Sequence, residues 1–184
     1  FSPKGGTAMF IRVTRVQSPP DKVQEAIQNF ETKILPGVRK TPGNQGAVLL
    51  TNRQTGAGLG ITYWESAKAM AASEQMGNQT RAQSAKDVPG TAVINVERGE
   101  LMIMDRAAAP KAGSMVRAVT VNGDQEKLDA AVVQDLDASE SKIAGPRAEA
   151  AKIAGAGPSD VQVEIFETAV VELSAVTAQA TTKA

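Results

Sequence analysis

The order in which strand-like and helix-like spacing alternate along residues 9–105 most constrains the fold of this chain. MFIRVTRVQ (9–17) alternates along its length and is rich in β-branched residues, which predicts a strand. The next apolar residues recur at helical spacing and predict an amphipathic helix: Val23, Ala26, Ile27, Phe30 and Ile34. Two more strands, a second helix and a last strand are predicted in QGAVLLTN (45–52), LGITYWE (59–65), SAKAMAASEQMGNQTRAQSAKD (66–87) and TAVINVERGELMIMD (91–105).

Local signals predict where these elements begin and end. Ser18 stands before two prolines and is the expected N-cap of the first helix, which Pro36-Gly37 should end. Ser66 is the expected N-cap of the second helix, and Gly99 marks a kink in the last strand. The resulting order, β-α-β-β-α-β, indicates an α+β fold of the ferredoxin-like type, an antiparallel sheet with both helices on one face.

The chain then repeats part of itself. Residues 115–132 align on 10–27 without gaps at an offset of 105, whereas 139–152 align on 73–86 at an offset of 66. The drop in offset implies that the second copy has roughly 39 residues fewer and lacks the central hairpin. We therefore expect a truncated second ferredoxin-like repeat, βααβ, that completes an architecture of the dimeric α/β-barrel type.

The domain boundaries follow from the repeat and from the composition. We expect the ferredoxin-like domain at 9–106, a linker at 107–113 and the truncated repeat at 114–173. Residues 1–8 are predicted to be disordered or an artificial leader, and 174–184 a flexible tail.

Composition excludes several classes of function. The chain has no Cys and no His, which excludes thiolate and His-ligated metal sites, Cys nucleophiles and His-based triads. Twenty basic residues balance twenty acidic ones, so no global field attracts nucleic acid or an anionic membrane. No apolar run approaches the roughly 18 residues of a membrane span. We expect a cytoplasmic protein without a metal or cofactor.

Several features of residues 9–66 occur together in one known family. They are Arg12 in the opening strand, ILP (34–36) at the end of the first helix, PGNQGAVLL (42–50) and the WES (64–66) that follows the hairpin. In this order they resemble the antibiotic biosynthesis monooxygenase-like family of the dimeric α/β-barrel superfamily. The resemblance covers about 9–106 and, more weakly, 114–173 as a truncated second copy.

The resemblance implies a set of site residues. The Trp of WES lines a cavity between sheet and helices in the family's oxygenases, which implies that Trp64 is a pocket wall. Trp64, Arg81 and Thr62 are the expected catalytic residues. Tyr63, Phe30 and Arg12 join Trp64 as expected contacts of the substrate. Two departures weigh against catalysis: Gly60 stands where the related oxygenases have Asn, and the His used by related haem-degrading enzymes is absent.

Several of these residues can also be explained by a purely structural role. A single Trp at a strand end often packs in the core, and Tyr63, on the opposite face of the strand, suits interface packing. Arg81 aligns with Arg147 of the shorter copy, which favours a fold-supporting role with a carboxylate partner. Glu97 and Glu100 lie three apart on a strand and point to opposite faces, so they cannot share a metal unless Gly99 forms a bulge.

Two functions remain open at this point. The resemblance implies cofactor-independent monooxygenation of a quinol-like aromatic. The alternative is a non-catalytic barrel that binds a small apolar or aromatic ligand or serves in an assembly. In either case we expect a homodimer or larger homo-oligomer.

Overall fold

The computed structural model of the protein describes residues 9–101, 111–121 and 161–173. The predicted helices of the second repeat lie outside these residues, as do the expected leader (1–8) and tail (174–184). The strands are β1 Met9–Gln17, β2 Asn44–Thr51, β3 Ala57–Trp64, β4 Ala92–Leu101, β5 Met115–Val121 and β6 Val161–Leu173. The helices are α1 Val23–Asn29, α2 Leu35–Arg39, α3 Ala67–Ala72 and α4 Glu74–Asp87.

The first four strands form an antiparallel sheet in the order β4-β1-β3-β2. β1 lies in the centre, where Arg12 pairs with Thr62 of β3 on one side and with Arg98 of β4 on the other. The two strands of the hairpin, β2 and β3, are neighbours, while β4 crosses to the far side of β1. This arrangement confirms the predicted α+β, ferredoxin-like fold.

β6 extends this sheet at the free edge of β2. Its residues Glu167–Leu173 pair antiparallel with Gly46–Thr51, so that Val170 lies opposite Leu49. The described residues fall into two compact units: 9–101, 111–115 and 167–173 form the first, and 116–121 and 161–166 the second. In the second unit, β5 is hydrogen-bonded to β6. The boundary between these units runs through β6, and the domain boundaries expected from the sequence stay a prediction.

The first helical segment differs from its prediction at both ends. The expected cap, Ser18, bonds through its hydroxyl to Thr91 Oγ1 at 2.8 Å, and a 3₁₀ turn at Pro20–Lys22 precedes α1. After α1 the chain makes one turn of π-helix, Phe30–Ile34, and continues as α2 through Pro36 and Gly37. Pro36 is tolerated because it occupies the first turn of α2, where its missing N–H is not needed.

The second helical segment begins as predicted and then breaks. Ser66 accepts a hydrogen bond from the Ala69 N–H at 3.1 Å, which confirms it as the N-cap of α3. Ser73 interrupts the predicted continuous helix between α3 and α4. Its hydroxyl donates to the carbonyl oxygen of Met70 at 2.7 Å, a side-chain bond that competes with helical continuation.

The irregularity of β4 also lies elsewhere than expected. The pairing of β1 with β4 is continuous at Gly99 and shifts register instead between Arg15 and Val16, opposite the segment that contains Ile94. Because no bulge forms at Gly99, Glu97 and Glu100 stay on opposite faces of β4. No metal-binding group of carboxylates occurs in the part of the chain that the structure describes.

The helices and the sheet enclose the core of the first unit. Its buried cluster joins α1, the π-helical turn and α2 to β2 and β6. The members are Val23, Ile27, Phe30, Val38, Ala47, Leu49 and Val170. Beside this cluster the packing is incomplete, and a cavity remains.

Candidate functional site

The cavity lies between the helix-facing side of β1 and β3 and the helices above them. It has a volume of about 130 Å³, close to that of an engineered apolar cavity that holds a benzene ring. From Gly58 onward, β3 contributes every second residue to its wall, namely Gly58, Gly60, Thr62 and Trp64. The alternation that the sequence predicts for this strand therefore places Trp64 in the wall of a cavity.

The cavity exists because β3 carries little side-chain volume at its centre. A Cβ built on Gly60 would lie 3.9 Å from Phe30 Cε2 and 3.9 Å from the Thr14 carbonyl oxygen, an ordinary van der Waals distance. Gly60 thus leaves room for a side chain without any backbone demand for glycine. The residue that departs from the pattern of the oxygenases is therefore the one that enlarges the space.

Trp64 is held in place by polar contacts at its edge and a cation at its face. Its indole is 1% exposed, and Nε1 donates a hydrogen bond to Thr62 Oγ1 at 3.0 Å. The guanidinium carbon of Arg12 lies 5.3 Å from the ring centroid, within the range of a cation–π interaction. These contacts fix the orientation of the indole against the cavity.

Three arginines converge on one carboxylate beside Trp64. Glu74, the first residue of α4, receives Arg12 Nη2 at 3.0 Å on Oε2. Its Oε1 receives Arg81 Nη2 at 2.8 Å and Arg98 Nη2 at 2.7 Å. One carboxylate neutralises one guanidinium, so the cluster keeps an excess of about two positive charges.

Arg12 is the most buried cation of this cluster. Its Nη2 also donates to the carbonyl oxygen of Met70 at 2.6 Å and to Ser73 Oγ at 2.9 Å. The break between α3 and α4 thus presents two acceptors to one guanidinium nitrogen. Its Nε is buried and has no hydrogen-bond partner among the described residues.

The environment shifts the pKa values of Arg12 and Glu74. Burial lowers the pKa of Arg12, against the opposing effect of Glu74. The guanidinium stays charged at physiological pH because its ordinary pKa is far above neutrality. The hydrogen bond from Arg98 is the main reason why the pKa of Glu74 lies below its ordinary value.

The structure brings together five of the six expected site residues and separates the sixth. Trp64, Thr62, Phe30, Arg12 and Arg81 all line the cavity. Tyr63 lies on the opposite face of β3, where it is 7% exposed and does not line this cavity. Successive strand residues point to opposite faces, and the expectation that Tyr63 contacts the substrate stays a prediction.

Two residues of the site, Glu74 and Gly77, were not predicted from the sequence. Glu74 binds all three arginines, and Gly77, which lines the cavity, leaves room for Arg12 and Arg81 beside α4. The spacing of Glu74, Asn78 and Arg81 on one helix face could have predicted part of this cluster. In the structure, Arg81 Nη2 donates hydrogen bonds to both Glu74 and Asn78. Nothing local in the sequence links Glu74 to Arg12 or Arg98.

The chemistry of the described cavity wall is limited. It contains hydroxyl groups, an indole and two guanidiniums, but no carboxylate, Lys or Tyr that could accept a proton near neutral pH.

Among the described helices, none combines the length and the apolar character needed to cross a membrane.

Curated relatives match about two thirds of the chain. A protein of Mycobacterium tuberculosis is 28% identical over 126 residues, which cover 68% of this chain and 55% of that protein. A second protein of the same organism is 27% identical over 113 residues and is covered to 47%. Both are uncharacterised. The chain spans about half the length of the curated relatives it matches.

Solved structures share the fold over nearly the whole chain. An anthrone oxidase-like protein superposes with a TM-score of 0.54 at 12% identity, covering 97% of this chain and 98% of that one. A protein of Lactobacillus acidophilus, provisionally assigned as a monooxygenase, gives a TM-score of 0.53 at 13% identity and covers 94% and 99%. At this identity the likeness establishes the fold.

A family model matches the part of the chain that builds the cavity. The match covers residues 9–85, which include β1 to β3 and nearly all of α4, and thus the site residues discussed above except Arg98. Residues 9–85 therefore match the model of the antibiotic biosynthesis monooxygenase family.

Proposed function

We propose that the protein binds a small aromatic ligand in the cavity bordered by Trp64. The observation that carries this proposal is that the largest side chain of the domain borders a cavity of about 130 Å³. An indole wall offers stacking to a planar ring, and Gly60 on the floor leaves the ring's path unobstructed. The volume of the cavity suits a ligand with a single aromatic ring better than a polycyclic ligand.

The polarity of the wall supports binding of a ring with one polar end. Apolar residues such as Val23 and Phe30 line one side of the cavity, and the guanidiniums of Arg12 and Arg81 line another. A ligand with an apolar body and an anionic or hydrogen-bonding end would satisfy both sides.

Trp64 provides a direct test of binding because it is the only Trp in the chain. Titration with hydroquinone, benzamide and benzoate should change its intrinsic fluorescence in a saturable way. Trp64→Phe should weaken the binding of the same compounds severalfold when measured by calorimetry. A fluorescence signal that responds to none of the three would contradict a ligand cavity at this position.

Cofactor-independent oxygenation of a quinol-like aromatic is a second candidate, favoured by the family match and by the two guanidiniums. A quinol would react with O₂ to give a hydroxyquinone and water, the quinol supplying all four electrons. Since the cavity wall offers no general base, Arg12 and Arg81 would act by stabilising the quinol monoanion. One superposed structure is that of an anthrone oxidase-like protein, a name consistent with such chemistry.

Oxygen consumption tests the second candidate independently of binding. Hydroquinone should drive O₂ uptake in excess of the rate without protein, and the rate should fall in Trp64→Phe. If O₂ uptake is equally fast with the protein, with the variant and without any protein, this oxygenation is excluded. The ligand-binding proposal is unaffected by that result.

We also propose that the protein assembles as a homodimer or larger homo-oligomer. β4 ends the described sheet, and Val93 and Ile94 are 38% and 60% exposed there. An open strand edge with exposed apolar residues favours pairing with another chain. Analytical ultracentrifugation should show a dimer or larger species, and a monomer at high concentration would contradict the proposal.

A further inference from the structure

The two cavity arginines use only part of their hydrogen-bonding capacity. The described hydrogen bonds of Arg12 and Arg81 are all made by Nη2, which contacts Glu74 in both residues. The Nη1 atoms lie together elsewhere: a Cβ built on Gly77 would be 3.2 Å from Arg81 Nη1 and 3.3 Å from Arg12 Nη1. Two cationic donors thus converge on one spot in the cavity wall.

The charge balance at this spot favours an anion. Glu74 is shared by Arg12, Arg81 and also Arg98, so it cannot neutralise the buried pair. The side chains of Arg12 and Arg81 are only 5% and 15% exposed. Buried charges without full compensation are costly, and the Nε of Arg12 is buried without a partner as well.

We propose that the cavity takes an aromatic carboxylate. The carboxylate would accept hydrogen bonds from the Nη1 atoms of Arg12 and Arg81 beside Gly77, and the ring would lie against Trp64 above Gly60. Guanidiniums favour planar oxyanions over neutral groups because charge-assisted bonds are stronger. The inference rests on the proposed ligand cavity and adds the class of ligand and the residues that recognise its charged end.

Arg98 supplies a matched control for Arg81. Both arginines bond Glu74 Oε1, at 2.7 Å and 2.8 Å, so that removal of either leaves the same carboxylate with two cations. Arg81 lines the cavity, whereas Arg98 does not. A difference in ligand preference between the two variants therefore reports contact with the ligand and not merely the loss of a bond to Glu74.

The test compares benzoate with benzamide, its neutral isostere, by Trp64 fluorescence and calorimetry at pH 7. The wild-type protein should bind benzoate at least about tenfold more tightly, as expected for charge-assisted bonds. Arg81→Gln should reduce this ratio to about one, and Arg98→Gln should keep most of it. Higher ionic strength should weaken benzoate binding more than benzamide binding.

Gly77→Ala provides a second variant in case Arg81→Gln is too unstable to measure. Alanine suits a helix better than glycine, while its methyl group would displace the two Nη1 atoms. We expect it to keep the fold and to weaken benzoate binding severalfold with little effect on benzamide.

Each outcome has a separate meaning. Equal affinity of the wild-type protein for benzoate and benzamide would overturn the carboxylate inference and leave the ligand cavity in place. Loss of the preference in Arg98→Gln to the same extent as in Arg81→Gln would also overturn it. Failure of both compounds to bind would overturn the carboxylate inference, and failure of hydroquinone as well would overturn the ligand cavity too.

Discussion

The two faces of β3 differ in the size of their side chains. On the helix-facing side, Gly58, Gly60 and Thr62 precede Trp64 and leave a cavity. On the other side, Leu59 and Tyr63 are large and buried, at 5% and 7% exposure. The neighbouring strand β2 carries a leucine on each face instead, with Leu49 in the cavity wall and Leu50 on the opposite face, 6% and 4% exposed.

The difference shows how one strand can serve stability and binding at once. Full-sized apolar side chains on one face contribute the burial that stabilises the fold. On the other face, small residues give up part of that burial and leave a space, which the Trp64 indole and two guanidiniums border. Substitutions on the two faces should therefore separate stability from ligand binding.

The largest expected effect comes from truncating the two adjacent leucines. Leu49→Ala and Leu50→Ala should each lower the free energy of unfolding by about 2–5 kcal/mol, because each removes a buried apolar side chain. Urea denaturation would measure both losses.

Only one of these two variants should alter ligand binding. Leu49→Ala enlarges the cavity and should shift its preference towards larger rings, whereas Leu50→Ala should bind benzamide like the wild-type protein, measured under conditions where both are folded. An equal change of affinity in both variants would show that the two faces of the strand are not independent.

A smaller effect is expected from the carboxylate that holds the arginines at the cavity. Glu74→Gln should lower the free energy of unfolding at pH 7 by about 1.5–3 kcal/mol, the range for hydrogen bonds to charged groups. The folded state lowers the pKa of Glu74, so its contribution is present above the ordinary glutamate pKa. It is lost as the pH falls through the lowered value in the folded state.

The pH dependence can be measured by urea denaturation between pH 7 and pH 2.5. The wild-type protein should lose stability relative to Glu74→Gln as the pH falls below the ordinary glutamate pKa of 4.5. Glu31→Gln, at an exposed position, serves as the control and should follow the wild-type curve. A constant difference between wild type and Glu74→Gln over the whole range would contradict the role assigned to this carboxylate.

The smallest effect on stability should come from filling the cavity at Gly60. Gly60→Ala adds a methyl group at van der Waals distance from Phe30 and Thr14, so the free energy of unfolding should change by less than about 1 kcal/mol. Benzamide and benzoate should both bind more weakly because the methyl group occupies the cavity floor. Unchanged affinity for both would place the ligand elsewhere.

The sequence predicted the elements and faces of the domain because these depend on short-range spacing. Alternation along 59–65 placed Trp64 and Tyr63 on opposite faces, and the order of the elements predicted the ferredoxin-like sheet. The cap at Ser66 was predictable because its partner, Ala69, is three residues away. The cap expected at Ser18 failed because Thr91 supplied a competing partner 73 residues away.

What the sequence alone determined, then, is the periodicity of each element and the match of residues 9–85 to a known family. Only the tertiary structure decided which side chains meet. Arg12, Glu74 and Arg98 come from three different elements, and their convergence depends on the register of β1 with β4 and on the break at Ser73. Contacts of this kind leave no local pattern, because they are set by how the elements pack rather than by the spacing of residues within them.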